Sequence, residues 1–284
     1  MDKKRKGNEK EERKHDVDDC IYYGCCNVDH FSTIDTTLAY LDGGGNVNQS
    51  DFYGSTPLHL AALHNNVKVA SLLLNRGANV DPIIHYTKNT PLFLACQNDY
   101  VEMVSLLLEK GTNVEHINDE KLNPLALTCY QGNEEIVSLL LDHGAKVNPV
   151  DNTTFWSPLY YACQKGHANV VSLLLKKGAN VNRSNTVYED TALHLASQKG
   201  YVYIVSLLLN NGANVNQKND DEETPLHEAC QNCHAEVVSL LLKYGANINQ
   251  NRDDGISSLY IACQNNDVKV MHLLLKWKGK IFLQ

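Results

Sequence analysis

The sequence predicts an all-α repeat solenoid: stacked helix-turn-helix units joined by β-hairpin fingers. Three observations carry that prediction. The segment Thr56-Pro57-Leu58-His59-Leu60-Ala61 recurs as Thr191-Ala192-Leu193-His194-Leu195-Ala196 and Thr224-Pro225-Leu226-His227-Glu228-Ala229, with looser copies beginning at Thr90, Asn123, Ser157 and Ser257. The leucines Leu58, Leu92, Leu125, Leu159, Leu193, Leu226 and Leu259 follow one another at intervals of 33 or 34 residues. A Ser-Leu-Leu-Leu run keeps the same beat at Ser71, Ser105, Ser138, Ser172, Ser206 and Ser239, with His272 in the last place. A period of this length identifies units that cannot bury their apolar faces alone and must stack.

Each element of the unit has a local cause. Thr56, Thr90, Asn123, Ser157 and Thr224 can cap the orphan amides of a helix start. Pro57, Pro91, Pro124, Pro158 and Pro225 then occupy the first turn, where a missing N–H costs nothing. A tight turn follows at Asn65, Asp99, Gly132, Gly166, Gly200, Cys233 and Asn266; all but Cys233 are types that tolerate a left-handed backbone. The second helix, cleanest as Val170-Val171-Ser172-Leu173-Leu174-Leu175, is apolar around more of its girth than a lone amphipathic helix needs, because neighbours cover it on two sides. Gly77, Gly111, Gly144, Gly178, Gly212 and Gly245 stop it.

Finger turn, helix opened by Thr-Pro-Leu-His, tight turn, second helix and a closing Gly-Ala-Asn-Val-Asn together resemble ankyrin repeats. Seven copies are expected at about 51–84, 85–117, 118–151, 152–185, 186–218, 219–251 and 252–284. Residues 17–50 read as a divergent N-terminal capping repeat, since Leu38 through Asn48 parallels Ser71 through Asp81. Residues 1–16 are charged and poor in apolar side chains, and are expected to be a disordered tail. Val268, Val270, Met271, Leu273, Leu274 and Leu275 repeat the internal apolar pattern, followed by Trp277, Ile281, Phe282 and Leu283 with the stop glycine displaced to Gly279. That end is expected to fold back as a cap, to mark a truncation or to dock a partner.

Composition narrows the function classes. Net charge is −8 over 284 residues, while residues 1–15 carry seven Lys or Arg against four Asp or Glu, so the repeats are acidic and nucleic acid is not an expected partner. No apolar run is long enough to span a membrane, and no signal peptide is legible. Cys96, Cys129, Cys163, Cys230 and Cys263 share one repeat position and read as core residues in a reducing compartment. A cytoplasmic monomer is expected. Lys3, Lys4, Arg5 and Lys6 form a candidate nuclear-import signal, which makes the nucleus the alternative.

The apparent chemical motifs dissolve into the repeat. Cys230-Gln231-Asn232-Cys233-His234 spells a haem-attachment pattern, but it is assembled from the core cysteine, the turn position and an ordinary helix start. His227-Glu228 would need a second histidine where Gln231 stands to hold zinc. The resemblance implies that His59, His194 and His227 are structural, bonding the cap and the adjoining finger. No catalytic residue, metal site or cofactor is expected.

The resemblance further implies that partners contact the finger tips and the exposed face of the first helix, which together line a concave groove. Carried onto this sequence, the first full repeats offer Phe52, Tyr53, Leu63, His64, Tyr86, Gln97, Asp119, Glu120 and Tyr130. The middle repeats offer Trp156, Lys165, Tyr188 and Lys199. The last turn acidic, with Asp220, Asp221, Glu223, Asp253 and Asp254. Aromatic anchors followed by carboxylates suit a protein partner with a basic segment. Replacing Trp156 and Tyr188 by Ala is expected to weaken such a complex without disturbing folding. The resemblance also marks Asn148, Asn182, Asn216 and Asn249 as candidate sites for an asparaginyl hydroxylase. A non-catalytic scaffold or adaptor is the expected function. The alternatives are a regulatory or targeting region of a larger kinase or ubiquitin ligase, and a nuclear regulator that captures a basic tail.

Overall fold

The computed structural model describes residues 30–149, 156–185 and 188–281. Among these residues lie fifteen helices and no sheet. Helix α1 (His30–Asp42) is followed by seven pairs: α2 (Pro57–Leu63) with α3 (Val67–Asn75), α4 (Pro91–Gln97) with α5 (Val101–Glu109), α6 (Pro124–Gln131) with α7 (Glu134–Asp142), α8 (Pro158–Lys165) with α9 (Ala168–Lys176), α10 (Ala192–Lys199) with α11 (Val202–Asn210), α12 (Pro225–Gln231) with α13 (Ala235–Lys243), and α14 (Ser258–Gln264) with α15 (Val268–Ile281).

The chain forms two compact units, one comprising Met1–Pro124 with Leu139–Ala145, the other Leu125–Ser138 with Lys146–Gln284. In the first, α2 packs on α4, and α1, α3 and α5 pack in succession. In the second, first helices pack on first helices from α8 to α14, and second helices on second helices from α9 to α15. The apolar repeat positions fill the space between these two layers. Leu58, Leu73, Leu92 and Leu107 are fully buried in the first unit, as are Leu159, Leu174, Leu193 and Leu208 in the second.

Local backbone follows the sequence closely. Thr90 and Ser157 accept the amides of Phe93 and Tyr160 at 3.2 Å, as helix caps do. All seven inter-helix turn residues, Cys233 included, have φ between +54° and +93°. At Gly200 the absent side chain also makes room: a Cβ there would lie 2.7 Å from the His234 ring. The stop glycines of the second helices all have φ between +79° and +92°. Helix α15 shows the converse. Lys278 occupies the place of Gly245, and the helix runs 14 residues where the other second helices run nine, passing through Gly279, so the expectation of a displaced stop there is corrected.

Three further expectations are corrected. The fingers are hairpin-like turns, but among the described residues their bridges are isolated antiparallel ones, Ser184 with Thr191 and Asn251 with Ser257. The described fingers close through one or two main-chain bonds, such as Asn118 N to the Leu122 carbonyl and Lys121 N to the Asn118 carbonyl, around a left-handed tip residue such as Lys121. Cys96, Cys129, Cys163 and Cys230 are buried core thiols as expected, whereas Cys263 is exposed. Leu275 is 55% exposed although its equivalent Leu242 is 2% exposed, because no further described helix covers that side of α15. The tail at 1–16, the import cluster Lys3, Lys4, Arg5 and Lys6, and Phe282 and Leu283 lie outside the described residues.

Candidate functional site

Histidines fix the fingers to the first helices. His59 Nδ1 accepts the Thr56 amide at 3.1 Å, and Nε2 lies 3.1 Å from the Asn89 carbonyl at the base of the next finger. His194 repeats this with Thr191 at 3.2 Å and the Glu223 carbonyl at 3.1 Å. An Nδ1 that accepts and an Nε2 that donates describe the neutral ring. Burial favours that form, lowering the pKa of His59 and of His227 to about 4 and depressing that of His194.

A second tie runs along the segments after the stop glycines. Asn148 accepts the Asn180 amide at 2.8 Å and donates to the Gly178 carbonyl at 2.9 Å. Asn182 does the same with Asn214 and Gly212, and Asn216 with Asn247 and Gly245. Three of the four asparagines named as hydroxylation candidates are therefore rungs of a hydrogen-bond ladder between neighbouring repeats. Asn249 is exposed, and its backbone amide donates to Asn247.

On the first unit, Phe52, Tyr53 and Tyr86 form an exposed ring cluster, with successive centroids 5.4 and 6.1 Å apart. Phe52 is 80% exposed, an unusual position for so apolar a side chain. The main-chain bond from His85 N to the Tyr53 carbonyl joins the two fingers that carry this cluster. Leu63 and His64, at the end of α2, are exposed as well.

On the second unit, first helices α8, α10 and α12, with Trp156 and the fingers that carry Tyr188 and Asp221, line an open pocket of about 650 Å³. Six of the residues named from sequence line it: Trp156, Lys165, Tyr188, Lys199, Asp221 and Glu223. Tyr130 lies beside the pocket, with the Lys165 ammonium 4.4 Å from its ring centroid. Asp220 is exposed on the same finger as Asp221, and its amide donates to the Tyr188 carbonyl. Asp253 and Asp254 are exposed on the last finger and do not line the pocket.

Two of these residues are less exposed than sequence reasoning placed them. Trp156 packs against Tyr160 and Tyr161, with centroids 5.4 and 5.3 Å away, and is partly buried. Glu223 is buried because Arg252, two residues into the next finger, reaches back to its carboxylate at 2.5 Å.

Sequence reasoning missed Glu228. It stands where the other repeats have Leu60, Leu94, Leu127, Tyr161, Leu195 and Ile261, so an acid in a uniformly apolar column was the available signal. It is 7% exposed and lines the pocket. Gln198 donates to its carboxylate at 3.2 Å. Burial and the neighbouring Glu223 charge raise its pKa to about 7. Nearby, burial and the Asp190 charge push the Tyr160 phenol up to about 12.

Among the described residues no cluster of His, Cys, Asp and Glu could hold a metal ion, and no helix is long and apolar enough to cross a membrane. Cys230 is wholly buried, with its thiol pKa pushed up to about 12 by burial, so the Cys-x-x-Cys-His segment does not present two accessible thiols.

A family model described as ankyrin repeats (3 copies) matches residues 23–118, 112–185, 150–219 and 193–283. The ankyrin repeat and LEM domain-containing protein 1 homolog of Caenorhabditis elegans is 46% identical over 48 residues, which are 17% of this chain and 7% of that protein. The crystal structure of the human ASB11 ankyrin repeat domain is similar with a TM-score of 0.69 and 29% identity, over 78% of this chain and 98% of that one.

Proposed function

The chain belongs to the ankyrin repeat family, whose repeats are a general protein-interaction module, and we propose that it acts without catalysis as a scaffold or adaptor. In this reading a protein partner lies along the fingers and first helices. The observation that carries it is the pocket on the second unit, where Tyr188, Lys165, Lys199 and Asp221 stand exposed around one concavity. Exposed aromatic side chains beside charged groups that define a rim are the usual composition of a protein-binding patch. The ring cluster of Phe52, Tyr53 and Tyr86 supplies a comparable patch on the first unit.

The test is affinity capture from native lysate with the wild type and with a Tyr188→Ala, Lys199→Ala, Asp221→Ala variant whose helicity and melting temperature match the wild type. Partners retained by the wild type and lost by the variant support the reading. Identical captures by the two proteins overturn it for this face.

A further inference from the structure

The position of Glu228 is costly. Six other repeats fill this column with Leu, Tyr or Ile, and burying a carboxylate in place of a methyl-bearing side chain costs free energy unless a cation compensates it. Among the described residues none does. The guanidinium of Arg252 is held by Glu223 at 2.5 Å and by Asp254 at 3.5 Å, so the Glu228 carboxyl meets the Gln198 amide and the neighbouring Glu223 carboxyl but no cation.

The pocket around Glu228 is biased toward a positive ligand. Asp190, Asp221, Glu223 and Glu228 line it against Lys165 and Lys199, and the two lysines are exposed side chains at its edge. His194, which also lines it, is held neutral by burial. Two further wall atoms lack partners among the described residues: Trp156 Nε1 is a buried donor with no acceptor, and Gln164 Oε1 a buried acceptor with no donor. A buried acid without a cation, an unmet donor and an unmet acceptor are rarely found in one place without a ligand to meet them. The volume, about 650 Å³, lies within the range of about 300–1,000 Å³ that holds drug-sized ligands, so there is room for a long side chain with main chain attached.

We propose that this pocket receives one arginine side chain from an extended segment of the partner, with Glu228 as its counter-ion and the Trp156 and Tyr188 rings as its walls. The proposal rests on the reading of this face as protein-binding and specifies what the partner must present. Arginine fits better than lysine for two reasons. Its planar fork can engage a carboxylate through two parallel hydrogen bonds while a third N–H reaches the Gln164 oxygen. Its flat face also stacks on aromatic rings, which a compact ammonium does not do. The main-chain carbonyls of the same segment supply the acceptor that Trp156 Nε1 lacks, after a small rotation of the indole.

The test uses the full chain carrying Trp277→Phe, so that the Trp156 indole N–H gives the single indole signal in the nitrogen–proton NMR spectrum. A capped Gly-Gly-Arg-Gly-Gly peptide is titrated through the millimolar range beside the same peptide with neutral, nearly isosteric citrulline. The expected result is a saturable shift of the Trp156 signal with the arginine peptide, and binding about tenfold weaker or less with citrulline. Glu228→Gln should weaken the arginine peptide by a similar factor while keeping the wild-type spectrum elsewhere, since the amide preserves shape. Equal binding of the two peptides, an absent shift with arginine, or unchanged affinity in Glu228→Gln overturns the proposal. Should the peptide fail while the lysate capture still depends on Tyr188, Lys199 and Asp221, the arginine pocket falls and the protein-binding face stands. If the peptide binds but captures are identical, the arginine pocket stands and the broader face does not.

Discussion

Asp81 accepts the Thr112 hydroxyl and also the Asn113 amide, at 3.1 Å from either carboxylate oxygen. This pair replaces the Asn rung seen at Asn148, Asn182 and Asn216. A carboxylate cannot donate to the Gly111 carbonyl as an amide would, and at Thr112, where the other repeats have Ala78, Ala145, Ala179, Ala213 and Ala246, a donor appears. The two departures from the repeat compensate each other. Thr112→Ala should therefore cost about 1 kcal/mol by denaturant melting, the worth of one hydrogen bond. In an Asp81→Asn background the same change should cost measurably less, because the introduced amide side chain re-forms the standard rung. Equal costs in both backgrounds would show the pair to be uncoupled.

Ladder position predicts the price of losing an asparagine. Asn216 makes two side-chain bonds to the following repeat, so Asn216→Ala should lower stability by about 1–2 kcal/mol. Asn249, exposed and with no Gly-Ala-Asn turn following it among the described residues, should tolerate Ala within about 0.5 kcal/mol. Thermal melts of the two variants compare them directly, and similar losses would refute the ladder as a source of stability.

Glu228 makes stability fall as pH rises. Its folded pKa is raised to about 7 from an ordinary 4.5, so between these values the folded state binds more protons than the unfolded state. The stability present below the unfolded value is lost as pH climbs through the folded one. Glu228→Gln removes this effect, and at pH 8 it should be more stable than the wild type by on the order of 3 kcal/mol, with the gap closing near pH 4. His59 and His227 act in the opposite sense, losing stability as pH falls from 6.5 toward about 4, but they do so in both proteins and cancel in the difference. Parallel stability–pH curves for the two proteins would contradict the assignment.

Trp156 and Tyr188 should part company on truncation. Trp156 packs on the Tyr160 and Tyr161 rings, so Trp156→Ala should cost about 2 kcal/mol of stability from lost burial and ring contacts. Tyr188 is 59% exposed, and Tyr188→Ala should stay within about 0.5 kcal/mol. On these contacts Trp156→Ala should disturb folding stability, against the expectation from sequence, and Tyr188→Ala should not. Chemical denaturation separates them, and equal costs would mean that the ring contacts carry no stability.

Much of the fold was legible because the determining interactions are local. The turn residues from Asn65 to Asn266, the caps at Thr90 and Ser157 and the stop glycines act within a few residues of themselves, and repetition along the chain amplifies each signal. The outliers were legible as outliers only. Glu228 breaks an apolar column on the page, but its burial beside Glu223 and its place in a pocket depend on three helices packed together. Glu223 reads as a finger carboxylate in the sequence, and only the fold brings Arg252, 29 residues on, back to cover it.

The sequence alone determined the repeat, the caps and stop glycines that bound most of its helices, and the family, because backbone preference and apolar periodicity are properties of short segments. Tertiary structure decided which side chains share an environment. It set Asp81 beside Thr112, brought Arg252 back to Glu223, and placed Glu228 in the pocket with no cation beside it among the described residues. Burial and charge pairing depend on neighbours about thirty residues away in the next repeat, so no single repeat contains the information that makes the pocket.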